Sequence, residues 1–392
     1  MINKDEFDII KRLKHEDNFR KCDSSVKCIY VRIFCLYNCV SGGKMRSFGL
    51  WYKNNNESNN IPVFSIHINF WSESVKKDSG PPDLDVGIKI KNFKSVNELI
   101  FHCPFVIAES DVKDLASKLC KLENANIVFN TDGVIETKKL YSVYSFKKNG
   151  NEEKLLLFPL IQDLEGIYYL NEEDNKTDIV FNFLTFNEYL KNKIEFAEIN
   201  QVYIRFRISS TELKNSIYFD CEPSNKSFES AFSGTRIFDF KINEKRNLGS
   251  KTIAKIDLQK YLFPQIDNIH LLVMEPSSYD VESFANKQMT CRELEGELWD
   301  DYFGANINYS KGRILAYHWK FENECSCLIK VKYSKTNVVT LIAYIVMALA
   351  LGVLGSTIVA IIQSGCVKYF PYISSSIGCF LFVIGLILGR KK

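Results

Sequence analysis

Acidic residues are missing from one long stretch of this chain: the last 55 of its 392 residues contain no Asp and no Glu. A solvated surface of that length carries charge of both signs, so the absence excludes an ordinary soluble tail. No Walker A sequence is present, because Ser41-Gly42-Gly43-Lys44 lacks the preceding glycine and the following Ser or Thr that phosphate and Mg2+ binding requires. A Rossmann fingerprint is also lacking. The N-terminus, MINKDEFDIIKRLKHEDNF, has no apolar core of the kind a secretory signal needs, which predicts a cytosolic location for the body of the chain. Net charge is small as well. The chain has 50 basic and 47 acidic residues, and four of the basic ones (Lys368, Arg390, Lys391, Lys392) fall in the last 55, so the other 337 residues hold 46 against 47. A region so balanced has no global footprint for a phosphate backbone, which argues against nucleic acid as an obligatory partner.

The acid-free stretch consists of two apolar runs, Val338 to Ile362 and Tyr372 to Leu388, of 25 and 17 residues. At 1.5 Å per residue the first reaches about 37 Å, enough to cross a hydrocarbon core of about 30 Å with some tilt, and the second sits at the lower limit. Together they predict a two-helix transmembrane hairpin. Lys330, Lys332 and Lys335 precede it, Arg390, Lys391 and Lys392 follow it, and one Lys lies between the runs, so the positive-inside rule places both ends in the cytoplasm. Ala348, Gly352 and Ser356 recur every four residues along the first run, and Ser374 with Gly378 and Gly385 with Gly389 repeat that spacing in the second. Small residues at this interval let helix backbones approach closely, within the hairpin or between copies of it. Neither run holds an ionisable side chain, which excludes a proton relay or ion-coupled transporter of the usual kind.

Ahead of the hairpin the pattern is α+β, with predominantly antiparallel β structure. A short helix is expected near the start, where Phe7, Ile10 and Leu13 are spaced by three. Period-two alternation holds over Ile61 to Ser74, and Cys28 to Val40 and Asp85 to Phe93 read as further strands. Ser110 can cap a helix whose face is Val112, Leu115, Leu119 and Leu122. Asp132-Gly133 and Asn149-Gly150 signal hairpins. The polar run Asn171 to Thr177 marks a domain junction, giving domains at 1–170, 171–337 and 338–392. In the second domain a short helix is expected near Phe186 to Phe196. Strands are expected at Gln201 to Ser209, Ser216 to Cys221, Thr235 to Ile242, Lys251 to Ile256, Ile269 to Met274, Arg313 to Phe321 and Cys327 to Tyr333, with a helix-like segment from Tyr279 to Tyr302.

No constellation among these residues reads as a catalytic or metal centre, and no cofactor is expected. Ten of the twelve cysteines precede the hairpin, in a region expected to be reducing, so they read as core thiols. Cys22, Cys28, Cys35 and Cys39 lack the close pairs of a structural zinc site, and Cys325 and Cys327 share a strand face as packing residues do. Asp132 with Glu152 and Lys154 has the formal spacing of a nuclease carboxylate set, yet Asp132 sits at a turn and Glu152 follows one. Asp239, Glu244, Lys245 and Arg246 make a polar strand end. His67 and His102 lie in strands, and Cys103 cannot serve His102, because adjacent strand residues face opposite ways.

A large body ahead of a two-span hairpin, Val338 to Leu388, resembles the transmembrane effectors of bacterial anti-phage systems such as retron or cyclic-nucleotide-signalling operons. The resemblance lies in the order of parts. It implies a multi-pass protein of the bacterial inner membrane whose cytosolic part senses a ligand or a regulatory partner encoded nearby, and whose hairpins self-associate in the lipid bilayer and disrupt it. The rival expectations are a scaffold that uses the hairpin only as an anchor, and a membrane-tethered enzyme. The charge distribution makes a direct prediction. A phosphatase fused after Lys392 is expected to be inactive and one inserted at Gly365 active, and the reverse pattern would overturn the assignment of both ends to the cytoplasm.

Overall fold

Alternation of apolar and polar residues builds the centre of the molecule. The computed structural model describes residues 46–55, 60–78, 80–138, 141–148, 150–160, 166–191, 197–221, 232–335 except 305 and 311, 338–364 and 370–390. The helix expected near Phe7, the strand Cys28 to Val40, the cysteines Cys22 to Cys39, the Ser41 to Lys44 sequence, and Lys368, Lys391 and Lys392 lie outside the described residues.

Ten strands form the central sheet in the order β16 (Thr290–Glu293), β17 (Ile314–Phe321), β14 (Gln265–Pro276), β2 (Val63–Trp71), β3 (Asp83–Lys91), β11 (Gln201–Ser209), β8 (Asn151–Phe158), β7 (Ser142–Lys148) and β6 (Gly133–Thr137), with β5 (Val112–Asp114) also on β11. A four-stranded sheet runs β1 (Gly49–Asn54), β4 (Val96–Cys103), β10 (Lys176–Asn182), β9 (Tyr168–Glu173). Another runs β12 (Tyr218–Cys221), β13 (Ser233–Ile242), β18 (Cys325–Ser334), β15 (Asp280–Ser283). All pairings of these strands are antiparallel except β2 with β14 and β8 with β11. The chain is thus mixed α and β with mostly antiparallel sheets, and a long apolar helix lies in its C-terminal region.

One face of the central sheet is apolar. Phe64, Ile66, Ile68 and Phe70 of β2, Leu84, Val86, Ile88 and Ile90 of β3, and Val202, Ile204, Phe206 and Ile208 of β11 are fully buried, in one core with Phe101 and Phe181 of the first small sheet and Phe238 and Phe240 of the second. Two sheets facing a third across shared side chains is the sandwich solution for strands with one apolar face.

The other face is polar yet also covered. Trp299, Tyr302 and Phe303 of a helix at Gly296–Phe303 close over Trp71. Beneath them Asp85 is fully buried and accepts hydrogen bonds from Arg207 Nε (2.6 Å) and Nη2 (3.0 Å), Tyr302 Oη (2.9 Å) and Trp71 Nε1 (3.0 Å). Arg205 donates to Tyr302 Oη at 2.7 Å and Tyr203 Oη at 2.8 Å. Burial alone would raise the Asp85 pKa, but Arg207 and its hydrogen bonds prevail and hold it below the ordinary carboxylate value. Gly87 makes room for this network, since a Cβ there would sit 2.1 Å from Tyr203 Oη.

Several sequence expectations are corrected. Val112 to Ala125 is not one helix: Val112–Asp114 pairs with β11, the Asp114 side chain accepts from the Ala116 amide at 3.0 Å, and the main helix is α1 (Leu122–Phe129). Ile127 to Phe129 is therefore helical, and Asp132-Gly133 leads into β6, which pairs with β7. Lys251 to Ile256 belongs to α2 (Ser250–Leu258), whose buried Thr252 and Ile256 are four apart and mimic strand alternation over so short a window. Tyr279 to Tyr302 divides into β15, β16 and α3 (Gly296–Phe303). Asn171 to Thr177 is the β9–β10 hairpin turn, with Asp174 and Asn175 at positive φ, and strands from both sides of it share the sheets.

Replacing Asp85 by Asn strips the buried guanidinium groups of their charge partner and is expected to cost about 3–5 kcal/mol. Gly87→Ala is expected to cost about 1–3 kcal/mol by overpacking. Urea unfolding of the solubilised chain reads both, and unchanged midpoints would show that the network is not structural.

Candidate ligand pocket at the root of the apolar helix

The last residues of β18, Tyr333 and Ser334, run through Lys335 toward α4 (Val338–Ser364). Register places Tyr333 opposite Gly234 of β13, where a Cβ would lie 2.3 Å from the Tyr333 ring, so glycine lets that ring lie across the strand. Two residues along β13, the Arg236 guanidinium is held between the rings of Tyr218 (5.2 Å) and Tyr333 (4.8 Å), and Tyr279 stacks on Tyr333 at 5.2 Å. Arg236 donates to Asp220 at 2.9 Å and to Glu73, and Lys214 approaches Glu73 at 2.9 Å from the other side.

Arg236, Glu73, Tyr279 and Tyr333 border a cavity of about 760 Å³, within the size range of small-molecule sites. Its wall presents the Arg236 and Lys335 cations, the Glu73 carboxylate, the rings of Tyr279 and Tyr333, and the hydroxyls of Ser74, Ser278, Ser310 and Ser334. Such a lining offers hydrogen bonds of both senses and a flat apolar surface, which suits recognition of a polar molecule. Behind it, Glu275 is fully buried and accepts from Ser72 Oγ at 2.8 Å and Tyr218 Oη at 2.9 Å. Burial pushes its pKa up to about 7; those two hydrogen bonds and Arg236 offset burial only in part, and Glu73 adds to the rise. Arg236 behaves oppositely: burial works against its charge, but Tyr218, Asp220 and Glu73 hold its pKa above the ordinary value.

Of the basic residues that flank the apolar runs, Lys335 borders this cavity and its backbone amide donates to Phe232 O at 3.0 Å. Lys332 is exposed, and Lys330 lies 4.0 Å from Glu282. Arg390 ends α5 (Phe370–Arg390). The small residues divide into two sets. A Cβ on Gly378 would meet Leu354 at 2.8 Å, and one on Gly385 would meet Met347 at 2.5 Å and Ala343 O at 3.1 Å, so these two glycines form the contact of α5 with α4. Ala348, Gly352 and Ser356 are exposed, with Ser356 Oγ donating to Gly352 O at 2.9 Å. Ser374 and Gly389 fall within α5, and their surroundings lie outside the described residues.

The remaining candidates are dispersed. Asp132 and Glu152 flank opposite sides of β7, and Lys154 pairs with Glu198 at 2.7 Å. Asp239 engages Lys241, and Glu244 engages Arg246 at 2.9 Å, so that strand end neutralises itself. Cys325 and Cys327 are buried core thiols. His67 Nδ1 lies 3.1 Å from Tyr203 Oη, and burial, then Arg205, lower its pKa to about 3. His102 faces away from the buried Cys103 and instead meets Asp178, Nδ1 to Oδ1 at 2.6 Å. Among the described residues no three His, Cys, Asp or Glu side chains converge to hold a metal ion.

Arg236, Glu73, Glu275 and Asp178 escape sequence reasoning because strand pairing, not spacing, brings their partners in. Glu275 alone leaves a trace, as a carboxylate directly after the apolar run Leu271 to Met274. No family model matches the chain, and no curated protein matches it.

Glu275 makes stability depend on pH. Its folded pKa of about 7 exceeds the unfolded value, so the folded state keeps a proton that the unfolded state loses. Its contribution is full below a pH of about 4.3 and falls as pH rises toward 7. Glu275→Gln is expected to remove that slope and to gain on the native chain by up to about 3 kcal/mol between pH 5 and pH 8. Parallel urea curves at both pH values would show that the carboxylate is not protonated in the fold.

Proposed function

We propose that the chain is a membrane-anchored effector of bacterial anti-phage defence. Its β-rich body senses a polar ligand at the pocket beside Arg236 and Lys335, and its C-terminal helices form a transmembrane hairpin whose clustering disrupts the inner membrane. The observation that carries the reading is closeness along the chain: Tyr333, Ser334 and Lys335 border the pocket, and α4 begins three residues after Lys335. A bound molecule that moves these residues moves the base of the helix.

Support for the hairpin comes from both helices. The helix α4 is long and apolar enough to cross a membrane, whereas the apolar part of α5, Ser375–Gly385, is shorter. Gly378 meets Leu354 while Gly385 meets Met347, so the two helices run antiparallel with their backbones close. The exposed face with Ala348, Gly352 and Ser356 is free of that contact and suits association with another copy.

Expression in bacteria with a membrane-potential dye tests the reading. The full chain is expected to depolarise the cells, and deletion of 338–392 to abolish the effect. Gly352→Leu is expected to reduce depolarisation by about tenfold or more by keeping backbones apart, and Gly378→Leu to act by separating α4 from α5. A full chain that inserts and leaves the potential untouched under every expression condition would reduce the hairpin to an anchor.

A further inference from the structure

The groove between the outer face of the first small sheet and α2 lies apart from the root pocket and holds a buried acceptor that nothing among the described residues satisfies. His102 on β4 stands directly across from Asp178 on β10, and the 2.6 Å contact of its Nδ1 with that carboxylate places the ring proton on Nδ1. In the neutral ring Nε2 is then a lone-pair acceptor. His102 is only 4% exposed, it borders the groove, and Nε2 has no hydrogen-bond partner among the described residues. Asp178 is braced from behind, with Lys255 3.4 Å from its second oxygen and bound in turn to Glu173. Buried polar atoms are nearly always paired, so an orphan acceptor in the wall of a groove of about 650 Å³ calls for a donor that arrives from outside.

We infer that this groove binds a neutral ring compound bearing several hydroxyls, a sugar or the ribose of a nucleoside, and that one hydroxyl donates to His102 Nε2. The charges of the wall exclude a polyanion. Glu98, Glu173, Asp174 and Asp178 outnumber Lys176, Lys251 and Lys255, and Lys251 and Lys255 already face carboxylates. The exposed amides of Asn171 and Gln259 each offer a donor and an acceptor, the arrangement that adjacent hydroxyls match. Tyr169 and Tyr261 add flat rings at the Glu98 end, where Tyr261 donates to Glu98.

The test uses the full chain in lipid nanodiscs free of glycoside detergent, titrated with glucose, ribose, adenosine and uridine, and with adenosine monophosphate as the anionic control, by saturation-transfer NMR. At least one compound is expected to saturate with a Kd on the order of 1 mM or tighter. Binding by the free sugars assigns a sugar site, and binding by the nucleosides alone assigns a ribose site with a base on the tyrosines. His102→Phe keeps a ring but removes the acceptor, and is expected to weaken binding about tenfold. Because that change also strips Asp178 of its partner, Asn171→Leu and Gln259→Leu on the exposed wall provide variants that leave the core untouched, and each is expected to weaken the same signal. The inference is overturned if none of the four compounds saturates, if all three variants bind as the native chain does, or if adenosine monophosphate binds more tightly than adenosine. These outcomes are independent of membrane depolarisation, so the groove and the effector reading stand or fall separately.

Discussion

The Asp85 carboxylate is the group on which the central sheet depends. It lies at zero exposure on the face opposite the aromatic core, and it is tolerable there only because four donors converge on it. The arrangement ties distant parts of the chain. Arg205 and Arg207 come from β11, Trp71 from β2, and Tyr302 from α3, which reaches the sheet more than two hundred residues after Asp85. Tyr302 is the hinge of the set, because its hydroxyl accepts from Arg205 while donating to Asp85. A sheet whose second face was merely solvated would need no such helix. The charges and the covering helix therefore require each other, and both require Gly87 to stay without a side chain.

Much of the β architecture is legible because its physical signal is local. Val63 to Trp71 alternates cleanly, Gly150 at φ 83° sits in the turn that joins β7 to β8, and the apolar C-terminal run forms a helix of 27 residues. Where the signal is short or shared, it misleads. Thr252, Ala254 and Ile256 alternate as a strand would, but helical spacing buries Thr252 and Ile256 on one face. The polar run Asn171 to Thr177 has the composition of a linker and is the tip of a hairpin, because left-handed Asp174 and Asn175 are as useful in a tight turn as in a flexible connection. The alternation of Asp83, Asp85, Arg205 and Arg207 against apolar residues is equally plain in the sequence. That their face is covered is not, since the covering helix is remote in the chain.

The pocket is nearly invisible for the same reason. Lys335 reads only as a charge flanking a span, and Tyr333 as the end of a strand. Their relation to Arg236, Glu73 and Glu275 exists only through β13 pairing with β18 and through the ends of β2 and β14 lying nearby. His102 is the intermediate case: its strand position correctly separates it from Cys103, but naming Asp178 as its partner needs the register of β4 with β10. Pairwise chemistry across strands is fixed by register, and register is a property of the whole sheet.

The two sets of small residues on the C-terminal helices carry a consequence for symmetry. Gly378 and Gly385 consume one face of α4 inside a single chain, and Ala348, Gly352 and Ser356 occupy another. When two copies meet through that second face, the same patch is used on both, which makes the contact isologous, and it closes at a dimer. Growth beyond two would then demand a different, heterologous surface, and the exposed apolar side chains of α4 (Leu351, Ile358, Ile362) and of α5 (Phe380, Val383) both offer one. Were the proposed association to occur, assembly size would depend on these flanking surfaces, although the more recognisable pattern is the small-residue face of α4.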